Sequence, residues 1–334
     1  MPFQLKIWDH CRYVKNREKP YDEMARHLET MAGAGISASV IYMPEVISLD
    51  DYCRAAEMAG MAVEARISPA WGIKNPVRRT LPEKDLQEME KRFGIRLSGI
   101  CGSHPHNRAV FLASAGALAD RFAGRIQAIH LDFIRNDNAL LLLDYPCQCD
   151  TCQALYRRYF NCAVPTRDML RDPAVQYKLL AIRNDNVRKT VCAMRELTSR
   201  HGLRLTMAAR ANYLNSRDIT GPPVWGLGPA VLEGQDWVAW NDEGLLDGIY
   251  TMNYHTDPEL FRSVLGDHLR LTAEHRDRLW SGIGISSSMG EISPSGAAQR
   301  LELVRDSGLP GAVFFNKTNL YSEEYLAVFR QFAH

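Results

Sequence analysis

Three cysteines fall close together in the stretch DYPCQCDTCQALY: Cys147, Cys149 and Cys152. Their C-x-C-x₂-C spacing is poor for disulfides, because a bridge between such near neighbours is strained and one thiol is left over. It is good for a metal, since Zn²⁺ takes four soft ligands in a tetrahedron. Cys101, just after RLSGI and before GSHPHNR, stands at a rim where it could supply the fourth ligand. A closed structural Zn²⁺ site is the expectation, against a three-thiol or redox arrangement. His104 and His106 read as an exposed turn rather than spare ligands. Cys11, Cys53, Cys162 and Cys192 are scattered and read as small packing groups.

A second chemistry-bearing residue is Asp132. It follows RIQAIHL, where strand alternation puts His130 and Asp132 on one face. An ionisable pair on a buried strand costs free energy unless it has partners or a task. Arg135, three residues on, could clamp Asp132 as a purely structural partner. The catalytic reading is preferred.

The elements that must position these groups alternate between strand and helix. FQLKIW, SASVIYM, AVEARIS, RIQAIHLDFI, LRLTMAA, LDGIYTMNY, RLWSGIGIS and PGAVFFN read as strands, with amphipathic helical segments between them. In YDEMARHLETMAGAG, Met24, Leu28 and Met31 share one face, and Ser48 and Asp257 read as helix N-caps. About eight such units predict a (β/α)₈ TIM barrel, a single α/β domain over residues 1–334 with a zinc-bound loop after strand four. A doubly wound sheet is disfavoured, because GIGISSSMG is only a weak imitation of a phosphate-binding turn.

Barrel chemistry sits at the C-terminal ends of the strands. Those ends carry Asp9 and His10, Glu64, His130 with Asp132 and Arg135, Arg210, Asn253 with Tyr254, and Glu291. Trp225 lies in a long Gly/Pro loop after strand five that could cover a substrate. Carboxylates among aromatic rings suit carbohydrate chemistry: one carboxyl group protonates the leaving oxygen and a second attacks or activates water. Asp132 is the leading carboxylate, with Glu291 as the partner. Asp9, His10, Glu64, His130, Arg135, Arg210, Asn253, Tyr254 and Trp225 are the expected substrate-holding groups.

The balance of 40 basic and 39 acidic residues gives no footprint for nucleic acid or an anionic membrane. No apolar run is long enough to span a bilayer, and MPFQLKIWDH lacks secretory-signal character, so a cytoplasmic location is expected. Barrels of this kind often form homo-oligomers, although no surface stripe declares one.

The CGSHPHNR and CQCDTCQALYRRYF segments, with a candidate catalytic strand between them, resemble the layout of glycoside hydrolase family 42 β-galactosidases. In that family a Cys in a turn joins a later C-x-C-x₂-C around a structural zinc. HLDFIR, GLLDGIYTMNY and GAVFF also resemble a broader group of barrel glycosidase-like families. The resemblance implies a barrel, zinc on Cys101, Cys147, Cys149 and Cys152, and glycoside hydrolysis. Family 42 enzymes end strand four in Asn-Glu, with the Glu as general acid/base, so by position Asp132 would inherit that role. No residue matches their strand-seven nucleophile, and Glu291 is the nearest carboxylate. A carbohydrate-binding barrel without catalysis and a sugar isomerase or lyase remain the alternatives.

Overall fold

A computed structural model describes residues 2–15, 18–42, 47–94, 99–136, 145–212 and 230–333. Eight parallel strands close into a barrel: β1 (Gln4–Asp9), β2 (Ile36–Tyr42), β3 (Ala62–Ile67), β4 (Ala128–Leu131), β5 (Arg204–Ala209), β6 (Gly248–Thr251), β7 (Leu279–Ser287) and β9 (Gly311–Asn316). Neighbours run β6-β5-β4-β3-β2-β1-β9-β7, and β6 pairs with β7 to complete the ring. The short β8 (Gly290–Glu291) folds back antiparallel on the outer end of β7. The eight expected strands are all present, and the expected TIM-barrel architecture is observed.

Helices cover the barrel with the faces their periodicity predicts. In the helix Pro20–Gly33, Met24, Leu28 and Met31 are buried. Ser48 caps Leu49–Met58, its Oγ accepting from the Asp51 backbone N–H at 3.1 Å. Asp257 caps Pro258–Leu271 by accepting from Leu260 N–H at 2.7 Å. Each cap satisfies a helix donor that would otherwise be orphaned. No described helix is long and apolar enough to cross a membrane.

The barrel lumen is mixed in character. Trp8, Val40, Ala208, Tyr250, Trp280 and Val313 form its apolar part. Through it runs a buried polar chain. Lys6 Nζ donates to Glu64 Oε1 (2.6 Å) and to the Tyr250 hydroxyl (2.7 Å), and Tyr250 in turn donates to Glu64 Oε1 (2.6 Å). Thr206 Oγ1 donates to Glu64 Oε2 at 2.8 Å. With the Thr206 proton so committed, His130 Nδ1–H donates to Thr206 Oγ1 (2.9 Å), while Nε2 accepts from Trp8 Nε1–H (3.2 Å). Those two bonds define a neutral imidazole tautomer. Burial agrees, pushing the His130 pKa down to about 4.

The two glycines of GIGIS have a packing reason. A Cβ at Gly282 would lie 2.3 Å from the Thr251 carbonyl oxygen and 3.0 Å from the Trp8 ring. At Gly284 it would meet the Tyr254 Cβ at 2.9 Å. The bare backbone of β7 therefore lets Trp8 and Tyr254 into the barrel. Gly282→Ala is expected to cost about 1–3 kcal/mol by overpacking, and a urea unfolding midpoint equal to wild type would contradict this.

Candidate functional site

Asp132 closes β4 at the barrel mouth and is almost fully buried. Arg66, at the end of β3, donates through Nε to Asp132 Oδ2 at 2.8 Å and through Nη2 to the same oxygen. Oδ1 accepts from the Phe133 backbone N–H at 2.7 Å. Burial, the largest single influence, would raise the Asp132 pKa; the Arg66 and Arg135 charges and the Arg66 hydrogen bond together outweigh it, and the net direction is down. Asp132 is therefore a carboxylate at neutral pH, with the character of a base or nucleophile rather than of a resting proton donor. The clamp is Arg66; the sequence pointed to Arg135, which instead pairs with Glu233 at 3.2 Å.

Aromatic rings surround this pair. Tyr254 stacks on Phe315 (5.2 Å between centroids, 14° between planes), and His10 stacks on the same Phe315 at 5.9 Å and 4°. Trp8 meets Tyr254 edge-on at 6.0 Å. Burial and then the Asp132 charge raise the Tyr254 phenol well above its ordinary value, so it stays a hydrogen-bond donor. Burial lowers His10 to about 4, which leaves a neutral ring. Tyr42 and Phe133 stand 40% and 45% exposed, the Tyr42 ring under the Arg66 guanidinium and the Phe133 ring under that of Arg135. Phe133 holds a left-handed backbone (φ 53°), a conformation that costs a non-glycine residue of order 1 kcal/mol and concentrates at functional sites.

Several expected substrate contacts are committed elsewhere. Asp9 is fully buried and accepts from Tyr52 OH (2.6 Å), Tyr13 OH (3.2 Å) and Cys11 N–H (2.8 Å). Glu64 and His130 belong to the lumen chain described above. Arg210 donates to both oxygens of Glu233, at 2.7 and 3.1 Å. Asn253 Nδ2 donates to the Phe261 carbonyl (3.1 Å), inside the helix that follows it. Glu291 is exposed on β8, its Oε1 accepting from Ser286 Oγ at 3.0 Å, and no described contact joins it to Asp132. Trp225 lies outside the described residues. Lys6, Arg66 as clamp, Glu233 and Phe133 were not singled out by the sequence.

The lumen pair makes a pH prediction. Burial opposes ionisation of Glu64, but Lys6 and then His130 favour it, and the pKa settles at about 2 against an ordinary 4.5. This depressed carboxylate contributes stability above about pH 4.5 and loses it as pH falls toward 2. Lys6→Met strands the carboxylate and is expected to cost about 3–5 kcal/mol. Denaturant titration at pH 7 and pH 3 should show that cost shrinking at the lower pH; a constant difference would contradict the assignment.

The four expected ligand cysteines do converge. Cys101 Sγ lies 3.7 Å from Cys149, 3.6 Å from Cys152 and 4.0 Å from Cys147, and all four sulfurs lie within 4.8 Å of one another. Zn–S bonds of about 2.3 Å in a tetrahedron set sulfur–sulfur edges of about 3.8 Å, so the cluster fits a tetrahedral cation. Hydrogen bonding from Cys101 and then Cys152, with smaller help from the backbone at Cys149 and Thr80, favours the Cys147 thiolate. Cys149 is the N-cap of the helix Asp150–Phe160, whose positive end faces the sulfurs. Tyr156, Leu170 and Leu179 pack around the cluster. The cluster can coordinate a metal ion. His104 caps its own helix, Pro105–Phe122, and is not among the four.

Fold and site together define a (β/α)₈ barrel with an arginine-held carboxylate and an aromatic floor at its C-terminal mouth. The same fold occurs in solved structures of glycan-cleaving enzymes. The glycoside hydrolase domain of PgaB (BpsB) from Bordetella bronchiseptica matches over 98% of this chain and 96% of its own, at 12% identity and a TM-score of 0.68. The catalytic domain of β-amylase from Paenibacillus polymyxa matches over 99% and 97%, at 12% identity and a TM-score of 0.62. A chitinase from Chromobacterium violaceum matches over 99% and 98%, at 11% identity and a TM-score of 0.52. No protein-family model and no curated protein matches the sequence. At these identities the likeness is one of fold.

Proposed function

We propose that the protein is a glycoside hydrolase whose reacting bond lies against Asp132. The observation that carries this reading is the buried Asp132 carboxylate, held ionised by Arg66 at the end of β4 and ringed by Tyr254, Phe315 and Phe133. A fixed negative charge there stabilises the positive character of an anomeric carbon or takes a proton from water, and aromatic faces hold sugar rings. Tyr254 donates to a sugar hydroxyl. Glu291 serves as the second carboxyl group, since Asp9 and Glu64 have their oxygens taken by partners in the fold.

The cysteine cluster holds structural Zn²⁺ on Cys101, Cys147, Cys149 and Cys152. Four thiolates leave no open position, so the metal orders the segments beside the mouth and takes no part in bond cleavage.

A second reading, a barrel that binds glycans without cleaving them, is favoured by one observation: both oxygens of Asp132 are engaged, by Arg66 and by the Phe133 N–H. Incubation with a broad glycoside and oligosaccharide panel, read by mass spectrometry, separates the two. Product from wild type that vanishes in Asp132→Asn supports hydrolysis. Sugar binding with no product from either protein selects the binding barrel.

A further inference from the structure

Two aromatic rings stand open at the barrel mouth. Tyr42 ends β2 and Phe133 lies just beyond β4, 40% and 45% exposed, whereas the other exposed tyrosines among the described residues, Tyr159 and Tyr177, sit on helices. Val40 lines the lumen two residues before Tyr42, so strand alternation turns Tyr42 to the inner face as well. Phe133 directly follows Asp132. Tyr42 pairs with Arg66 across β2 and β3, and Arg66 with His130 across β3 and β4. Two strand spacings, about 10 Å, thus separate the ring on β2 from the line of β4. That span exceeds one pyranose ring and is close to two, and the Arg66–Asp132 pair lies within it.

Each ring is held by a guanidinium that is itself anchored. That of Arg66 lies 5.2 Å from the Tyr42 centroid, and its Nε donates to Asp132 Oδ2 at 2.8 Å. That of Arg135 lies 4.6 Å from the Phe133 centroid and pairs with the buried Glu233 at 3.2 Å. Arg135 N–H also donates to the Phe133 carbonyl at 2.7 Å. With a cation over one face of each ring, the opposite face is the one left for a ligand. A ring fixed in advance loses little freedom when something stacks on it. Tyr254 and His10 stack on Phe315 as the floor between them. Flat apolar rings match the C–H faces of pyranoses, whose hydroxyl edges then meet the polar groups of the mouth.

We infer that Tyr42 and Phe133 are paired stacking platforms for neighbouring sugar residues, so that the site takes an oligosaccharide of at least two pyranose rings laid across Asp132. The placement of the cleaved linkage between the two stacked residues rests on the hydrolase reading; the platforms themselves do not.

The test titrates the full chain by calorimetry with methyl glycosides of gluco-, galacto- and N-acetylglucosamine oligosaccharides, one to four residues long. In at least one series, affinity is expected to rise about tenfold from one residue to two or three, the worth of one added ring contact. Tyr42→Leu and Phe133→Leu keep apolar bulk and remove the flat ring. Each should cancel most of that rise, whereas Tyr42→Phe and Phe133→Tyr should keep it. Affinity flat with length, no binding in any series, or a rise that survives in both leucine variants overturns the inference. So does equal loss in Tyr42→Phe and Tyr42→Leu, which would assign the contact to the hydroxyl. Stacking also moves the sugar C–H proton resonances upfield through the ring current, a readout that needs no variant, and unshifted resonances in the bound glycan overturn the inference too. Product followed on the same samples keeps the two proposals apart. Cleavage of one-residue glycosides with no gain from length leaves the hydrolase and removes the platforms. Length- and ring-dependent binding without product does the reverse.

Discussion

Asp132→Asn is expected to lower turnover about 10²- to 10⁴-fold while the chain stays folded, the range that loss of one positioned acid–base group produces, and to lower the melting temperature through the unpaired Arg66 guanidinium. The substitution keeps shape and removes charge, so the Arg66 guanidinium loses its carboxylate without a cavity opening. Arg66→Gln provides the mechanistic control. In wild type Asp132 is held below its ordinary 3.8, so its carboxylate role persists across the mildly acidic range and is lost only as pH falls through that depressed value. Without Arg66, burial dominates and raises the Asp132 pKa, so the acid limb of kcat/KM against pH must move upward. An unmoved limb, or wild-type rates in Asp132→Asn, would remove Asp132 from the chemistry.

Removing the metal proposed for the four cysteines is expected to destabilise the fold by a few kcal/mol. In its absence the sulfurs share protons unevenly: hydrogen bonding to Cys147 pushes the Cys101 thiol up to about 12, and the same bond pulls Cys147 down. A divalent cation replaces those protons and ties together chain segments near residues 101, 147 and 152. Because the site forms only in the folded chain, its binding free energy is folding free energy. Elemental analysis should find about one zinc per chain. Cys149→Ser should abolish it and lower the melting temperature by about 5 °C or more, the shift of a loss of a few kcal/mol in a chain this size. The neighbouring segment at Thr80 is directly exposed to this loss, since Gln148 N–H donates to the Thr80 carbonyl at 2.7 Å. A zinc-free wild type of unchanged stability would make the cluster a set of packed thiols.

The barrel was legible because its signals are local. Alternation in RIQAIHL, helical periodicity in YDEMARHLETMAGAG and caps at Ser48 and Asp257 each need only a few neighbouring residues. The cysteine set was legible because thiols at that spacing have few other uses. The mouth was less so. Asp9, Glu64 and Asp132 are all acids on strands with the same local pattern, and only their partners distinguish them. Those partners are remote: Glu64 meets Lys6 from 58 positions away and Tyr250 from 186. One signal was available and not used. FQLKIW places a lysine at an inward position of an otherwise apolar strand, and such a lysine requires a buried acid. Glu233 gave no comparable signal, because its stretch VLEGQD reads as loop and its role depends on two arginines in the segments that follow β4 and β5.

The polar chain across the lumen has a historical consequence. Its links come from β1, β3, β4, β5 and β6, and nearly every proton in it is directed toward Glu64. Replacing one link leaves a buried donor or charge unanswered, so single exchanges are penalised while paired ones can be neutral. Divergent relatives should therefore change Lys6 and Glu64 in concert, to a hydrophobic pair or to a reversed one, and the covariation between strands one and three should mark ancestry more durably than the residues of the mouth.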